Sequence, residues 1–246
     1  KEILDKEDLR MGIIKNELLE LKDRYGDERR TDIIHSAEDF TTEDMIPNEE
    51  MLITVSYQGY VKRTLLLEYR TQGRGGVGSK GAGSKEDDFT EHLFVGMTHN
   101  YLLIFTEFGK VFWKKVWELP EGGKTSKGRP VQNLINIEPG DKIRAIINVA
   151  DLKDEEYINN NYVVMCTENG TIKKTTLEAY SRPRTNGINA ISVNEGDRLL
   201  EIKLTNGNNH IIIGKRSGKV VHFHEADVRP MGRTAVGVRG VSLEED

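Results

Sequence analysis

A unit that occurs four times limits this chain to few architectures. One copy is Leu52-Ile-Thr-Val-Ser-Tyr-Gln-Gly59-Tyr-Val-Lys-Arg63, and the others run Leu102 to Lys115, Val163 to Lys174 and Ile211 to Phe223. Each reads as an apolar strand, a polar turn ending in glycine (Gly59, Gly109, Gly170, Gly218) and a second strand. Asn169-Gly170 carries the signature of a two-residue type I′ hairpin, and the other copies are variants with Gly where φ must be positive. A polar connection with an Arg near a Gly follows each hairpin: Arg74-Gly75, Gly128-Arg129, Arg184 to Gly187, and Arg233 to Gly237. The second and third copies then show Gly140-Asp141 and Gly196-Asp197 ahead of further apolar runs, Ile143 to Val149 and Leu199 to Leu204. With about four strands per copy, the repeats predict an all-β fold, a propeller- or pinwheel-like array of four-stranded blades. One blade cannot bury both faces alone, so neighbours must stack. The fourth copy reaches Gly240-Val-Ser-Leu243, where its last strand is due, so about four blades of a longer array are expected.

Ahead of the repeats stands a different pattern. Met11, Ile14, Leu18, Leu21 and Tyr25 step by 3, 4, 3 and 4, a helical stripe, and Gly26 is a natural stop. Residues 5–25 therefore predict an amphipathic helix, packed either on its own domain or in a coiled coil with a partner strand. The leader is acidic: residues 1–50 hold 8 Lys+Arg against 16 Asp+Glu, so the rest of a chain with net charge −5 is mildly basic. An acidic total therefore does not exclude a nucleic-acid partner; what matters is whether the bases share a face. No apolar run long enough for a membrane helix and no secretion signal occurs. The single cysteine, Cys166, sits in an apolar run and reads as a buried structural thiol in a reducing compartment.

Basic residues recur where the second strand of each hairpin is expected to start: Lys62-Arg63, Lys114-Lys115, Lys173-Lys174, and Lys215-Arg216 with Lys219. With Arg129, Arg184 and Arg233 from the connections, they form either a basic stripe around one rim of the array or ordinary solvated strand ends. A curved basic stripe suits duplex DNA, because phosphates can be bound without reading bases. Trp113 and Trp117, beside Lys114 and Lys115, fit packing between blades better than stacking on bases, since a duplex offers no unstacked base.

Gln72-Gly-Arg-Gly-Gly-Val-Gly78 follows the first hairpin. It resembles the seven-residue Gln-Arg-Arg-Gly-Gly-Lys/Arg-Gly box in the first blade of the C-terminal domain of bacterial DNA gyrase A subunits. Gln72, Arg74, Gly75, Gly76 and Gly78 match; Gly73 and Val77 depart from basic residues. The resemblance extends along the chain through Tyr25-Gly-Asp-Glu-Arg-Arg-Thr31, Glu86 to Phe89, Asn100 to Leu103, Val116-Trp-Glu-Leu-Pro120, Gly128-Arg-Pro130, Met231-Gly-Arg233 and Gly237-Val-Arg-Gly240. It implies a β-pinwheel preceded by a short α-helical leader. Residues 1–40 would be the end of a coiled-coil helix and the linker from a breakage–reunion domain, and 41–246 the DNA-wrapping pinwheel. It also implies the site: Gln72, Gly73, Arg74, Gly75, Gly76, Val77 and Gly78 around a phosphate; apart from the resemblance, Lys80 and Lys85 just downstream are expected to compensate for the two missing basic residues. Arg74 would make a bidentate contact and the glycines would let backbone N–H groups approach.

The partners so implied are duplex DNA, the gyrase B subunit, and a second gyrase A subunit, in a cytoplasmic, nucleoid-associated heterotetramer that is an ATP-dependent type II topoisomerase. ATP and Mg belong to that holoenzyme. The domain itself needs no cofactor, metal, membrane or small-molecule substrate. The family's catalytic tyrosine and its ATPase lie elsewhere, so this chain alone should be inactive. The corresponding C-terminal domain of topoisomerase IV, whose box is degenerate or absent, stays open as an alternative, as does a propeller-type protein-interaction scaffold. Gly76 to Gly81 matches G-x-G-x-x-G but opens no βαβ unit, Gly123-Lys-Thr125 lacks the first P-loop glycine, and His222 with His224 has no third metal ligand in view.

Overall fold

The computed structural model describes residues 2–28, 30–31, 42–69, 73–78, 83 and 87–243. The chain divides into two compact units, Lys1–Thr41 and Thr42–Asp246. In the first, α1 (Glu2–Asp5) leads into α2 (Glu7–Tyr25). Glu7 and Asp8 in the first turn of α2 and Lys22 and Arg24 in the last complement its dipole. Gly26 stops the helix, its N–H returning to Lys22 O at 2.7 Å. The stripe of Met11, Ile14, Leu18, Leu21 and Tyr25 is present and open; α2 buries none of its residues. Among the described residues no helix is long and apolar enough to cross a membrane.

The second unit is built from four hairpins. They are β1 (Glu50–Ser56) with β2 (Tyr60–Leu65), β4 (Tyr101–Thr106) with β5 (Lys110–Lys115), β8 (Tyr162–Thr167) with β9 (Thr171–Thr176), and β12 (His210–Gly214) with β13 (Val220–His224). Gly59, Gly109, Gly170 and Gly218 all hold φ between +79° and +83°. The turns are nevertheless not type I′. That type needs positive φ at two successive residues, and only the glycine has it here. Each glycine N–H closes on the carbonyl three residues back (Ser56, Thr106, Thr167, Lys215), a tight turn followed by a left-handed glycine. In the first three the same Ser or Thr side chain accepts the next N–H, from Tyr60, Lys110 and Thr171 at 3.1–3.3 Å.

The remaining strands are β3 (Thr90–Met97), β6 (Arg129–Pro130), β7 (Ile143–Val149), β10 (Ile188–Asn189), β11 (Leu199–Thr205) and β14 (Val238–Arg239). Three sheets have the orders β3-β1-β2-β6, β7-β4-β5-β10 and β11-β8-β9-β14; the fourth is β12-β13 among the described residues. Each short strand thus belongs to the sheet before its own repeat: β6 follows the second hairpin but pairs with β2, β10 pairs with β5, and β14 pairs with β9. This exchange ties consecutive sheets covalently and by hydrogen bonds. At the opposite edge β7 packs on β11 and on β3, so these strands form the inner side and the exchanged strands the outer side.

Both faces of the middle sheets are buried, which is why their strands read as continuous apolar runs. On β4, Leu102 and Ile104 join Ile53, Val61 and Val131 in one core, whereas Leu103 and Phe105 face Met165, Leu177 and Tyr180 in another. On β8, Val163 and Met165 join that second core while Val164 joins Ile172 and Val228 in a third, smaller one.

An Asp precedes each inner strand and reaches back to the hairpin turn. Asp88, Asp141 and Asp197 accept the N–H groups of Gln58, Phe108 and Asn169 at 3.0–3.1 Å, and each also takes the N–H of the residue after it at 2.8–3.0 Å.

Candidate nucleic-acid interface

The box falls on a connector, and its described part, Gly73 to Gly78, is open. All six residues are exposed, and no described atom would crowd a Cβ at Gly73, Gly75 or Gly78. Gly76 N–H closes a turn on Gly73 O at 3.2 Å, with Arg74 at its second position and φ of +79° and +84° at Gly75 and Gly78. Val77 is fully exposed. Gln72, Lys80 and Lys85 lie outside the described residues.

A six-residue segment from one glycine to a left-handed glycine occurs twice more, although Thr125 and Thr234 lack the positive φ that Gly75 has at the same place. Ser126 N–H closes on Gly123 O at 3.0 Å and Ala235 N–H on Gly232 O at 3.1 Å, and Gly128 and Gly237 have positive φ where Gly78 does. The second position is basic each time: Arg74, Lys124, Arg233. The fourth position after the opening glycine is Val77, Lys127 and Val236. Gly128 and Gly237 open directly onto the exchanged strands β6 and β14, so these two turns sit on the outer side. In the third repeat the connector is shorter: Gly187 N–H closes on Arg184 O at 3.1 Å and Gly187 packs on Phe112. Lys124 and Lys127 were not among the sequence-derived candidates, though the five-residue Gly-to-Gly step shared by Gly73, Gly123 and Gly232 is visible in the sequence.

The basic pairs on the hairpins are corrected by the structure. Counting from the turn glycines, Lys62, Phe112, Lys173 and Val221 are equivalent, as are Arg63, Trp113, Lys174 and His222. Lys114-Lys115 lie further along their strand and Lys215-Arg216 precede their glycine, so the four pairs are out of register. Nor are all of them on a rim. Lys62, Lys173 and Lys174 are buried, at 1%, 0% and 4% exposure. Each ammonium donates to backbone: Lys62 Nζ to Gly123 O and Lys124 O (2.7 and 3.0 Å), Lys173 Nζ to Ala190 O (2.7 Å) and Arg233 O, and Lys174 Nζ to Glu225 O (2.8 Å). Burial pushes the Lys62 pKa down, and pushes that of Lys173 down to about 8 with the charge of Arg233 adding. A side chain so engaged cannot also reach a phosphate. Their residue type gave no warning, because lysine is rarely buried.

Of the other candidates, Arg63 is half-buried against Glu121 (3.0 Å) and Leu119 O, Lys114 pairs with Glu118 (3.1 Å), and Lys115 pairs with Glu43 (2.7 Å) over the Tyr101 ring. Lys215 reaches Ser242 O at 3.1 Å. Arg129, Arg184, Arg216 and Lys219 are exposed, and Arg233 is half-buried. Trp113 packs in the core between blades, its Nε1–H donating to Tyr180 O at 2.9 Å. Cys166 is half-buried, its thiol pushed up by burial and by Asp197. His222 and His224 gather around His210, with centroids 4.8 and 5.0 Å away, but His224 is committed to Ala226 N–H and Asn208. Among the described residues no group of three His, Cys, Asp or Glu side chains is arranged to hold a metal ion.

Strand exchange between stacked four-stranded blades, with basic turns feeding the exchanged strands, defines a β-pinwheel repeat protein. The sequence pattern of the family described as DNA gyrase C-terminal domain, beta-propeller, matches residues 50–96, 100–150, 161–206 and 216–246, and the chain belongs to that family. It is 44% identical over 242 residues to the DNA gyrase A subunit of Halalkalibacterium halodurans, covering 98% of this chain and 28% of that protein. It is also 44% identical over 236 residues to the DNA gyrase A subunit of Salmonella typhimurium, covering 96% and 26%. The chain thus spans about a quarter of the length of these relatives. Among solved structures, the C-terminal domain of DNA topoisomerase IV aligns with a TM-score of 0.67 and 30% identity over 82% of this chain and 59% of that one. A DNA gyrase A C-terminal domain aligns with a TM-score of 0.62 and 24% identity over 80% and 62%, which bears on the fold alone.

Proposed function

We propose that the second unit binds duplex DNA through its connectors and wraps it along the outer side of the array, as the C-terminal part of a gyrase A chain. The observation that carries this reading is the recurrence of one Gly-to-Gly step with a basic second residue, Arg74, Lys124 or Arg233, on three of four connectors. A charge repeated by the fold becomes a track, and a track of phosphates is its complement. Arg129, Arg184, Arg216 and Lys219 extend that track, and the box supplies its most open point. In the whole protein this wrapping would present a nearby segment to the DNA gate, so that ATP-driven strand passage introduces negative supercoils. The partners are then the gyrase B subunit, together with a second gyrase A chain, with ATP and Mg bound elsewhere than on this chain, in the bacterial cytoplasm. This chain by itself neither cleaves DNA nor hydrolyses ATP.

A second reading is favoured by two observations, the alignment with the topoisomerase IV domain and the loss of basic residues at Gly73 and Val77. On that reading DNA is held without strong chiral wrapping. Sealing nicked plasmid in the presence of the chain, then reading the linking number after deproteinisation, separates the two. Wrapping gives a positive shift that Arg74→Ala reduces and added salt abolishes; binding without a shift supports the second reading; absence of binding overturns both. If roughly 6 to 10 phosphates are neutralised, log K falls against log salt with a slope of about −5 to −9.

A further inference from the structure

A buried lysine without a carboxylate against it is costly, because two carbonyls only partly replace the water that an ammonium loses. This fold keeps two lysines, Lys62 and Lys173, buried at the same place on β2 and β9, where their described hydrogen-bond partners are backbone carbonyls. What they hold is equivalent at one carbonyl, that of the turn's second residue. Lys62 donates to Gly123 O and Lys124 O, the first two residues of the basic turn that precedes β6. Lys173 donates to Arg233 O, the second residue of the basic turn that precedes β14, and to Ala190 O. Thr64 Oγ1 adds a bond to Gly122 O at 2.6 Å, so three successive carbonyls are drawn onto β2. The neighbouring positions serve the segment just before the turn. Arg63 reaches Leu119 O and Lys174 reaches Glu225 O.

The middle blade supplies an internal control. Its connector, closing from Arg184 to Gly187, lacks the six-residue segment, and the equivalent of Lys62 and Lys173 there is the apolar Phe112, in contact with Gly187. Trp113, the equivalent of Arg63 and Lys174, still donates to the carbonyl of the preceding segment, at Tyr180. The donor at the second position is thus kept in all three blades, whereas the lysine occurs only where a basic turn has to be held. Strand exchange as such does not require it.

We infer that Lys62 and Lys173 are positioning residues for the basic turns: Lys62 draws two carbonyls of its turn inward and Lys173 one, fixing the direction in which the turn's basic side chains project. The inference deepens the reading of these turns as phosphate contacts and rests on it for its consequence in binding. It assigns a role in DNA binding to lysines that cannot touch DNA.

The test uses the 246-residue chain with Lys62→Met, which keeps the aliphatic stem at a site where Phe112 shows that an apolar side chain is accommodated in a neighbouring blade. Amide exchange at Ser126, whose N–H closes the turn on Gly123 O, should quicken at least about tenfold, while the ladder amides of β1 and β2 change little. Duplex affinity should fall about fivefold to tenfold, and that loss should shrink towards nothing in a Lys124→Ala Lys127→Ala background, because the lysine acts through the turn. Lys173→Met should behave likewise at Ala235, read independently of the first turn. Uniform acceleration across the blade, or equal losses of affinity with and without Lys124 and Lys127, would overturn the inference and leave the lysines as ordinary core residues. If the unsubstituted chain binds no duplex, the binding role fails together with the DNA reading, and exchange at Ser126 and Ala235 still decides whether the lysines hold the turns.

Discussion

The carboxylate of Asp197 accepts the backbone N–H of Asn169 at 3.0 Å across 28 residues of sequence, and the N–H of Arg198 at 2.8 Å. One oxygen atom thus fixes both the tip of the third hairpin and the start of the strand that flanks it. Asp141 and Asp88 do the same in the second and first blades.

Asp197→Ala should therefore cost about 1–2 kcal/mol, because two part-buried N–H groups lose their acceptor together, whereas Asp197→Asn, which keeps a carbonyl oxygen at the site, should cost less than half of that. Urea unfolding midpoints at constant slope measure the difference. Equal effects of the two substitutions would mean that charge, and not the hydrogen-bond acceptor, is what matters there.

Gly109 and Gly218 share a left-handed backbone and differ in surroundings. An added Cβ at Gly109 would lie 2.6 Å from Ile191 O and 2.9 Å from Ile191 Cγ2, whereas none of the described atoms comes within 4 Å at Gly218. Gly218→Ala should cost the backbone strain alone, about 1–2 kcal/mol. Gly109→Ala should cost a further ~1–3 kcal/mol for the displaced neighbour. Thermal or denaturant unfolding of the two variants side by side checks the order.

Lys173 gives the stability a pH dependence of unusual sign. Its pKa is pushed down to about 8 from 10.5, so the charged form is the disfavoured one in the folded chain. That cost is full below about pH 8 and fades as pH rises towards 10.5, where the unfolded state also releases its proton. Relative to Lys173→Met, the unsubstituted chain should gain stability over this interval, by on the order of 3 kcal/mol. A difference that stays flat with pH would show the ammonium to be well solvated.

Glu225 behaves in the opposite way. Burial pushes its carboxyl up, but hydrogen bonds from Thr205 (2.6 Å) and Asn209 (2.7 Å) and the charge of Lys174 outweigh burial and hold it below 4.5. The ionised form therefore contributes stability that is full above 4.5 and is lost as pH falls through the lower folded value. Glu225→Gln should remove about 1–3 kcal/mol at neutral pH and less at a pH below the lowered folded value. Comparison of the two proteins by denaturant titration at both pH values gives the result.

The repeats, the hairpin strands, the left-handed turn glycines and the apolar runs that become β7 and β11 were all legible in the chain of residues, because they follow from local chemistry: a period-two or continuous apolar run, a turn residue, a glycine. The box, with Arg74 at its third place, was singled out by its resemblance to the gyrase A pattern and not by local chemistry. That β6, β10 and β14 belong to the preceding sheet was settled by the folded structure alone, since two-residue strands carry no periodicity and owe their place to long-range backbone pairing. The same holds for Lys62, Lys173 and Lys174, which turn inward while Arg129 and Arg184 stay out. A lysine on a strand goes to whichever face its register gives it, and whether that face meets water or a neighbouring blade's carbonyls depends on how the blades stack, which no stretch of a dozen residues encodes.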